Sequence, residues 1–339
     1  MIFLCFFHDI SLYFYEMDKG ITVIICSYNG SHRIPETIAH VAAQRVPHTI
    51  MWEVVFADNA STDNTSDIAL QEWNKHCSSA NNFKLIAVNT PGKIYALHQA
   101  VSEARYNYFI ICDDDNRLDE DYVATMYDIL DGDPLIGAAG GQSKAVTAGK
   151  LLPGWFNEVA ADYAVGKQSG ISGDVTERGY LWGAGLGSRT TLYKRMYENF
   201  PSLLTGRNGN LLTAGEDSEY CLRIVLSGYK LYYDSRLRFE HFIPDNRLEE
   251  NYKNALLKGL ETSDIILNKY RFARQMQLKY HSKRLKKIAA LFTTAVKNVI
   301  QFSQKKKIRN RQKLQLLLPF DTKYDAQLSA IKKFISARV

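Results

Sequence analysis

Four short apolar runs, separated by segments of helical character, constrain the fold of the first third of the chain more than any other feature. The runs are "ITVIIC" (21–26), "WEVVFA" (52–57), "FKLIAV" (83–88) and "YFIIC" (108–112). Such nearly continuous apolar runs are typical of strands buried on both faces of a parallel sheet. The segments between them, "RIPETIAHVAAQ", "DNTSDIALQEWNK" and "PGKIYALHQAVSEA", carry helical signals. The alternation predicts an α/β fold with helices on both faces of a mostly parallel sheet.

Polar residues follow three of these strands, at the edge where an α/β sheet binds its ligands. "SYN" (27–29) follows the first run, Asp58 begins "DNASTD" after the second, and "DDDN" (113–116) follows the fourth. Adjacent carboxylates repel one another unless positive charge lies among them. Two carboxylates one residue apart can bind a hard divalent cation, Mg²⁺ or Mn²⁺, which takes substrate phosphates as further ligands. A solvated turn with a helix cap is the competing interpretation, because Asp is common in turns.

Charge is distributed unevenly along the 339 residues, whose 46% hydrophobic and 23% charged content is that of a globular protein. Residues 250–339 contain 21 Lys and Arg against 5 Asp and Glu, a net charge of +16, and the remainder is acidic. Within this region "RLKKIAALFTTAVKNVIQF" has the pattern of an amphipathic basic helix. We expect a domain over residues 17–248 and a basic helical tail over 249–339. Residues 1–16 are interpreted as a leader that is non-native or flexible.

The polar motifs together resemble those of family 2 glycosyltransferases, inverting enzymes of the GT-A fold. The resemblance rests on "VIICSYNG", "WEVVFADNASTDNT", "ALHQAVSEARYNYFIICDDDN" and the later "GEDSEYCLRIVLSGYKLYYD". It implies a nucleotide-sugar-binding half over 17–135 and an acceptor side over 136–248. The implied reaction moves a sugar from a nucleotide diphosphate sugar, expected to be UDP-linked, to a hydroxyl of a saccharide or lipid-linked acceptor in cell-surface polysaccharide synthesis.

The resemblance also implies roles for individual residues at the donor end. The residues implied in donor binding are Ser27, Tyr28, Asn29, Asp58, Lys93, Asp113 and Asp114. Asp115, with Asp113 and His241, is implied as the site of Mg²⁺ or Mn²⁺, and Asp114 is expected to tolerate Asn best of the three aspartates. An Asx turn remains the alternative for Asp58 and a core position the alternative for Tyr28. "NTPGKIYALHQAV" departs from the family pattern, with His98 where Asn is usual.

A second carboxylate pair, Glu216 and Asp217, stands at the start of a predicted helix. In the family the second residue of this pair is the general base, which an inverting transfer needs because the acceptor hydroxyl loses its proton as it attacks. Favourable placement near a helix N-terminus is the alternative for Glu216. On the acceptor side the resemblance implies that Trp182 stacks on a sugar and that Gly183 and Gly185 let backbone approach the donor. Core packing is the alternative for Trp182.

The basic tail has three interpretations: a solvated surface, a nucleic-acid site or an attachment to an anionic membrane. No nucleic-acid-binding module accompanies it, and amphipathic basic helices suit a lipid interface. We therefore expect a cytoplasmic protein, peripheral on the inner face of a membrane, that binds no nucleic acid. Two rival functions stay open. A nucleotidyltransferase would need a Gly-rich phosphate loop, for which "SYNGSHR" is a poor candidate, and a non-catalytic nucleotide-sugar-binding protein would bind without transfer.

Overall fold

A computed structural model describes residues 17–76, 82–204, 206, 214–280 and 284–337. The expected leader, residues 1–16, lies outside these residues. Within them the chain forms one mixed sheet of nine strands with eleven α-helices. The predicted α/β class with helices on both faces of the sheet and a C-terminal helical extension is confirmed.

The first half of the sheet is parallel and is centred on β1. Its elements are β1 (Asp18–Ser27), α1 (Ile34–Ala42), β2 (Trp52–Asp58), α2 (Thr65–His76), β3 (Phe83–Ala87), α3 (Lys93–Glu103) and β4 (Tyr106–Asp113). β1 pairs in parallel with β2 on one side and β4 on the other. In this register Ser27 lies opposite Asp58, and Cys26 lies opposite Asp113. The polar residues that follow the three strands therefore meet at one edge of the sheet.

Burial of the four predicted strands follows their position in the sheet. β1, β2 and β4 are inner strands, and Ile24, Val55 and Ile110 in them are fully buried. β3 pairs only with β2, at the sheet edge, and three of its five residues are exposed. The prediction that all four runs are buried on both faces is thus wrong for β3, because an edge strand has a neighbour on one side only.

The second half of the sheet mixes parallel and antiparallel pairs. Its elements are β5 (Asn116–Leu118), α4 (Tyr122–Gly132), β6 (Ile136–Val146), α5 (Phe156–Val159), β7 (Gly173–Asp174), β8 (Gly187–Arg189), α6 (Thr190–Glu198), α7 (Glu216–Leu226) and β9 (Lys230–Phe242). The strand order is β3-β2-β1-β4-β8-β6-β9-β5, with β7 paired to β9. β5 pairs antiparallel with β9 so that Asn116 lies opposite His241. This pairing brings His241 beside the aspartates that follow β4.

Four helices follow the sheet: α8 (Glu250–Tyr280), α9 (Arg284–Ile300), α10 (Gln304–Leu317) and α11 (Ala326–Ala337). Leu267 and Tyr270 of α8 and Phe334 of α11 belong to the same apolar core as the buried face of α7. The first and last of the four helices therefore pack against the domain that contains the sheet. Among the described residues, no helix is both long and apolar enough to cross a bilayer.

Candidate active site

A cavity of about 830 Å³ opens at the carboxyl ends of β1 and β4. Its walls come from the loops after these strands, from the N-termini of α3 and α7, and from one side of α8. Most predicted site residues line it: Ser27, Tyr28, Lys93, Asp113, Asp114, Asp115, Trp182, Gly183, Glu216, Asp217 and His241. Residues more than two hundred positions apart in the sequence, such as Ser27 and His241, thus share one site.

Each of the three adjacent aspartates is paired with a different basic side chain. Lys93 Nζ lies 2.5 Å from Asp113 Oδ1, and Arg33 Nη2 lies 2.7 Å from Asp114 Oδ2. Arg247 Nη1 lies 2.9 Å from Asp115 Oδ2. These charges relieve the repulsion that made the cluster conspicuous in the sequence. The protein itself therefore supplies the positive charge that the sequence led us to expect from a metal.

Asp114 is the most extensively bonded of the three carboxylates. Its Oδ2 accepts hydrogen bonds from Ser27 Oγ at 2.6 Å and from Arg33 at 2.7 Å, and its carbonyl accepts one from Thr37 Oγ1 at 3.0 Å. Burial and the neighbouring charge of Asp115 nevertheless raise the pKa of Asp114. The geometry gives Asp114 a bracing role between the loops after β1 and β4, so the expectation that Asn is tolerated best here lacks support from its contacts.

Asp115 and His241 form the part of the site that best matches a metal. His241 Nε2 lies 3.5 Å from Asp115 Oδ1, and the buried Nδ1 of His241 has no hydrogen-bond partner among the described residues. Burial would raise the pKa of Asp115, but the charges of His241 and Arg247 hold it well below its usual range. Across the described parts of the chain, no three His, Cys, Asp or Glu side chains form a complete metal cluster. A divalent cation here would therefore depend on phosphate and water for its remaining ligands.

Lys93 is the first residue of α3 and points into the cavity. The preceding Gly92 has φ +128°, a conformation that favours glycine, and its N–H donates to Asn59 Oδ1 at 2.8 Å. Burial disfavours the ammonium form, yet the negative charges of Asp113 and Glu216 outweigh it and raise the pKa of Lys93. Lys93 is therefore held in its charged form, paired with Asp113 at the cavity wall.

The second carboxylate pair lies at the N-terminus of α7, after Gly215 with its φ of +113°. Asp217 Oδ2 accepts a hydrogen bond from the Gly183 N–H at 2.8 Å, and its Oδ1 accepts one from the Ser218 N–H at 2.7 Å. Burial raises the pKa of Asp217, although these bonds and the charge of Lys93 oppose the rise. A carboxylate with a raised pKa, fixed in position and facing a cavity, is suited to accept a proton.

The loops after β1 and β2 are braced against each other by predicted donor residues. Asn29 has φ +47°, and its Oδ1 accepts a hydrogen bond from the Thr62 N–H at 2.8 Å. Asp58 accepts a bond from the Ser61 N–H at 3.0 Å, the Asx turn left open by the sequence. Neither Asn29 nor Asp58 is among the described residues that line the cavity, whereas Tyr28 lines it and is 57% exposed. Their roles toward a donor base remain predictions.

The residues predicted for the acceptor side are a buried aromatic residue and two glycines with different structural roles. Trp182 lines the cavity but is only 6% exposed, with the Arg178 guanidinium 5.9 Å from its ring centroid. Gly183 contributes its N–H to Asp217, and a Cβ there would lie 3.2 Å from Asp217 Cβ. Gly185 has φ +72°, and a Cβ there would lie 2.3 Å from the Tyr122 hydroxyl. Glycine is thus required at position 185 by its packing against Tyr122 of α4. The sequence analysis had predicted a different reason, close approach of the backbone to the donor.

Among the cavity residues that the sequence analysis did not single out, three contact the aspartates or the Lys93 loop: Arg33, Asn59 and Arg247. Arg33 directly precedes α1, and Arg247 lies in a short 3₁₀ helix, Asp245–Leu248, after β9. Their partners, Asp114 and Asp115, are 81 and 132 positions away. Arg33 could have been found from the sequence as the first Lys or Arg after "SYN", because an acidic cluster in a crevice needs compensating charge.

Comparison with known proteins independently supports the resemblance to family 2 glycosyltransferases. The model of the family described as "Glycosyl transferase family 2" matches residues 22–151. Poly-beta-1,6-N-acetyl-D-glucosamine synthase of Staphylococcus epidermidis is 25% identical over 139 residues, covering 41% of this chain and 32% of the relative. The same enzyme of Staphylococcus aureus strain COL is 27% identical over 135 residues, covering 40% and 31%. The chain therefore spans about a third of the length of these curated relatives.

Solved structures of S. aureus TarS share the fold over nearly the whole chain. TarS 1–349 in complex with UDP-GlcNAc has a TM-score of 0.54 at 18% identity, covering 94% of this chain and 88% of that one. A longer TarS structure gives a TM-score of 0.50 at 18% identity, with 94% and 53% coverage. At this identity the likeness shows the GT-A fold and no more.

Proposed function

Because the chain carries a family 2 glycosyltransferase domain on a GT-A fold, we propose that it transfers a sugar from a nucleotide diphosphate sugar to an acceptor hydroxyl with inversion. UDP-GlcNAc is the first donor to test, since TarS was solved with it and the curated relatives are N-acetylglucosamine polymer synthases. The proposed acceptor is a saccharide or a lipid-linked saccharide in cell-surface polysaccharide synthesis. A cytoplasmic, membrane-peripheral location is part of the proposal, supported by the basic region beyond residue 249.

One observation carries the proposal: two chemically different carboxylate groups face one cavity. The group after β4 is paired one-to-one with Lys93, Arg33 and Arg247, so an anionic diphosphate bound there would take its counter-charge from a divalent cation. Asp217 stands across from them, close enough that the charges of Lys93 and Asp113 both act on its pKa. This division matches a donor end that holds phosphate and an acceptor end that removes a proton.

In the proposed reaction Asp217 accepts the proton of the acceptor hydroxyl while the hydroxyl oxygen attacks the anomeric carbon. The bond from that carbon to the diphosphate oxygen breaks on the opposite face, which inverts the configuration. Lys93 remains protonated and holds charge at the phosphate end, and Gly183 fixes the Asp217 carboxylate through its N–H. Trp182 lines the same cavity, where its proposed role is to stack on an acceptor sugar.

A divalent cation, Mg²⁺ or Mn²⁺, is also part of the proposal. Asp115 and His241 present carboxylate oxygens and an imidazole nitrogen of the kinds that Mn²⁺ accepts, and the buried Nδ1 of His241 has no hydrogen-bond partner among the described residues. The family resemblance adds Asp113, which is paired with Lys93 here. When bound, such a cation stabilises negative charge on a leaving diphosphate. Its ligands would be these side chains together with donor phosphate.

The test is a panel of nucleotide sugars incubated with Mg²⁺ or Mn²⁺, with released nucleotide and modified acceptor both identified by mass spectrometry. Asp217→Asn should bind nucleotide with unchanged affinity and lose transfer about 10²- to 10⁴-fold, the usual worth of a general base. Glu216→Gln is the matched control and should lose far less. Release of inorganic pyrophosphate instead would favour a nucleotidyltransferase. Nucleotide binding without release from any donor would favour a binding protein.

A further inference from the structure

Helix α9 is oriented with its large apolar residues toward solvent. Leu285, Ile288, Phe292, Val296 and Val299 are 83%, 62%, 73%, 44% and 79% exposed. At about 100° per residue these five positions fall within about 80° of the helix circumference, so they form one continuous stripe. Phe302, just beyond the helix, is 99% exposed. We call this stripe together with Phe302 the α9 stripe.

The opposite face of α9 attaches the helix to the protein with small side chains. Ala290 and Thr294 are 9% and 2% exposed, and Ala290 packs with Met276 of α8 and Leu317 of α10. An amphipathic helix on a globular protein normally buries its wide apolar face and exposes its polar one. In α9 this arrangement is reversed, so the α9 stripe is available to a partner outside the described fold.

The surroundings of the stripe carry a single sign of charge. From Arg284 to Phe320 the sequence contains ten Lys and Arg and no Asp or Glu. Lys286 and Lys297 on α9 are exposed, as are Lys305 and Lys306 at the start of α10. An apolar stripe flanked by basic residues matches a surface that is both apolar and anionic.

We propose that the α9 stripe docks on an anionic lipid surface, with the helix lying in the plane of the interface and the lysines contacting lipid headgroups. A second copy of the chain fits less well, because two such surfaces would bring like charges together. A nucleic acid would present its charged backbone to the lysines and leave the apolar stripe uncovered. The inference deepens the membrane-peripheral location proposed above by naming the surface that docks, and it does not depend on sugar transfer, since it uses no residue of the cavity.

The test is co-sedimentation of the full chain with vesicles of phosphatidylcholine alone and of phosphatidylcholine mixed with phosphatidylglycerol. The full chain should sediment with the mixed vesicles only. Ile288→Asp should reduce binding about tenfold or more. It removes an apolar side chain that would be buried in the lipid surface, and it adds a negative charge that anionic headgroups repel. Replacing Lys305, Lys306 and Lys307 by Gln should reduce it about a hundredfold, at roughly a factor of five for each basic residue near the surface.

Ile171→Asp is the matched control, because Ile171 is 80% exposed outside the tail. It should leave vesicle binding unchanged, and melting temperatures should confirm that all variants are folded. Equal binding to both vesicle types, or equal binding by Ile288→Asp and the wild type, would overturn the proposal. So would a full chain that does not sediment. A dimer in analytical ultracentrifugation that Ile288→Asp dissociates, without vesicle binding, would assign the stripe to a second copy instead.

Discussion

The pairing of Arg247 with Asp115 gives the sharpest test of how the aspartate cluster is stabilised. Asp115 is 5% exposed and Arg247 is 21% exposed, with 2.9 Å between their charged atoms. Removing one partner of a fully buried pair costs about 3–5 kcal/mol, because the other charge stays buried and unpaired. His241 remains 3.5 Å from Asp115 and Arg247 is partly exposed. We therefore expect Arg247→Gln to lower the free energy of unfolding by about 2–3 kcal/mol.

Urea unfolding followed by tryptophan fluorescence at neutral pH measures this loss. In a double-mutant cycle with Asp115→Asn, the two single losses should exceed the double loss by about 1–3 kcal/mol, since the residues are in contact. Arg45→Gln is the control, because Arg45 and its partner Glu120 are 66% and 55% exposed and the loss should stay within about 0.5 kcal/mol. Added Mn²⁺ should restore more stability to Arg247→Gln than to the wild type. A loss below about 0.5 kcal/mol, or strict additivity, would refute this account of the cluster.

Three further predictions concern stability and binding. Burial lowers the pKa of His98 to about 4 from 6.5. Between these pH values the unfolded chain binds more protons than the folded chain, so stability falls as the pH is lowered through that window, by up to about 3 kcal/mol. Urea unfolding at pH 7 and near pH 4 should show a smaller fall for His98→Gln, and an equal fall would contradict the assignment. In Gly30→Ala the new Cβ would lie 2.1 Å from Ser27 Oγ, which should lower the free energy of unfolding by about 1–3 kcal/mol. The mutation should also reduce the rise in melting temperature that UDP gives. An unchanged rise would show that this loop does not contribute to the donor site. Glu219→Gln leaves Arg223, 2% exposed, without its carboxylate, and denaturant unfolding should show a loss of about 3–5 kcal/mol, whereas a loss under about 1 kcal/mol would mean that the surrounding carbonyls already satisfy Arg223.

Local signals were enough for much of the parallel half of the fold. The apolar runs locate β1, β2 and β4 within two or three residues of their observed ends, and "GEDSEYCLRIVL" locates α7. Hydrophobic periodicity and turn residues depend on near neighbours in the chain, so the elements that they specify can be predicted without tertiary information. The same signals misjudged β3, because its edge position depends on which strands pair beside it.

The sequence by itself determined that the polar motifs of the parallel half meet at the carboxyl edge of the sheet, because parallel strands end at the same edge and each motif follows directly on its strand. Tertiary structure decided how those groups are partnered. The register of β5 with β9 places His241 beside Asp115, and the 3₁₀ turn after β9 delivers Arg247. It likewise turned the apolar stripe of α9 outward, although the sequence pattern alone reads as an ordinary amphipathic helix. Such choices depend on packing between residues distant in the chain, for which the sequence carries no periodic signal.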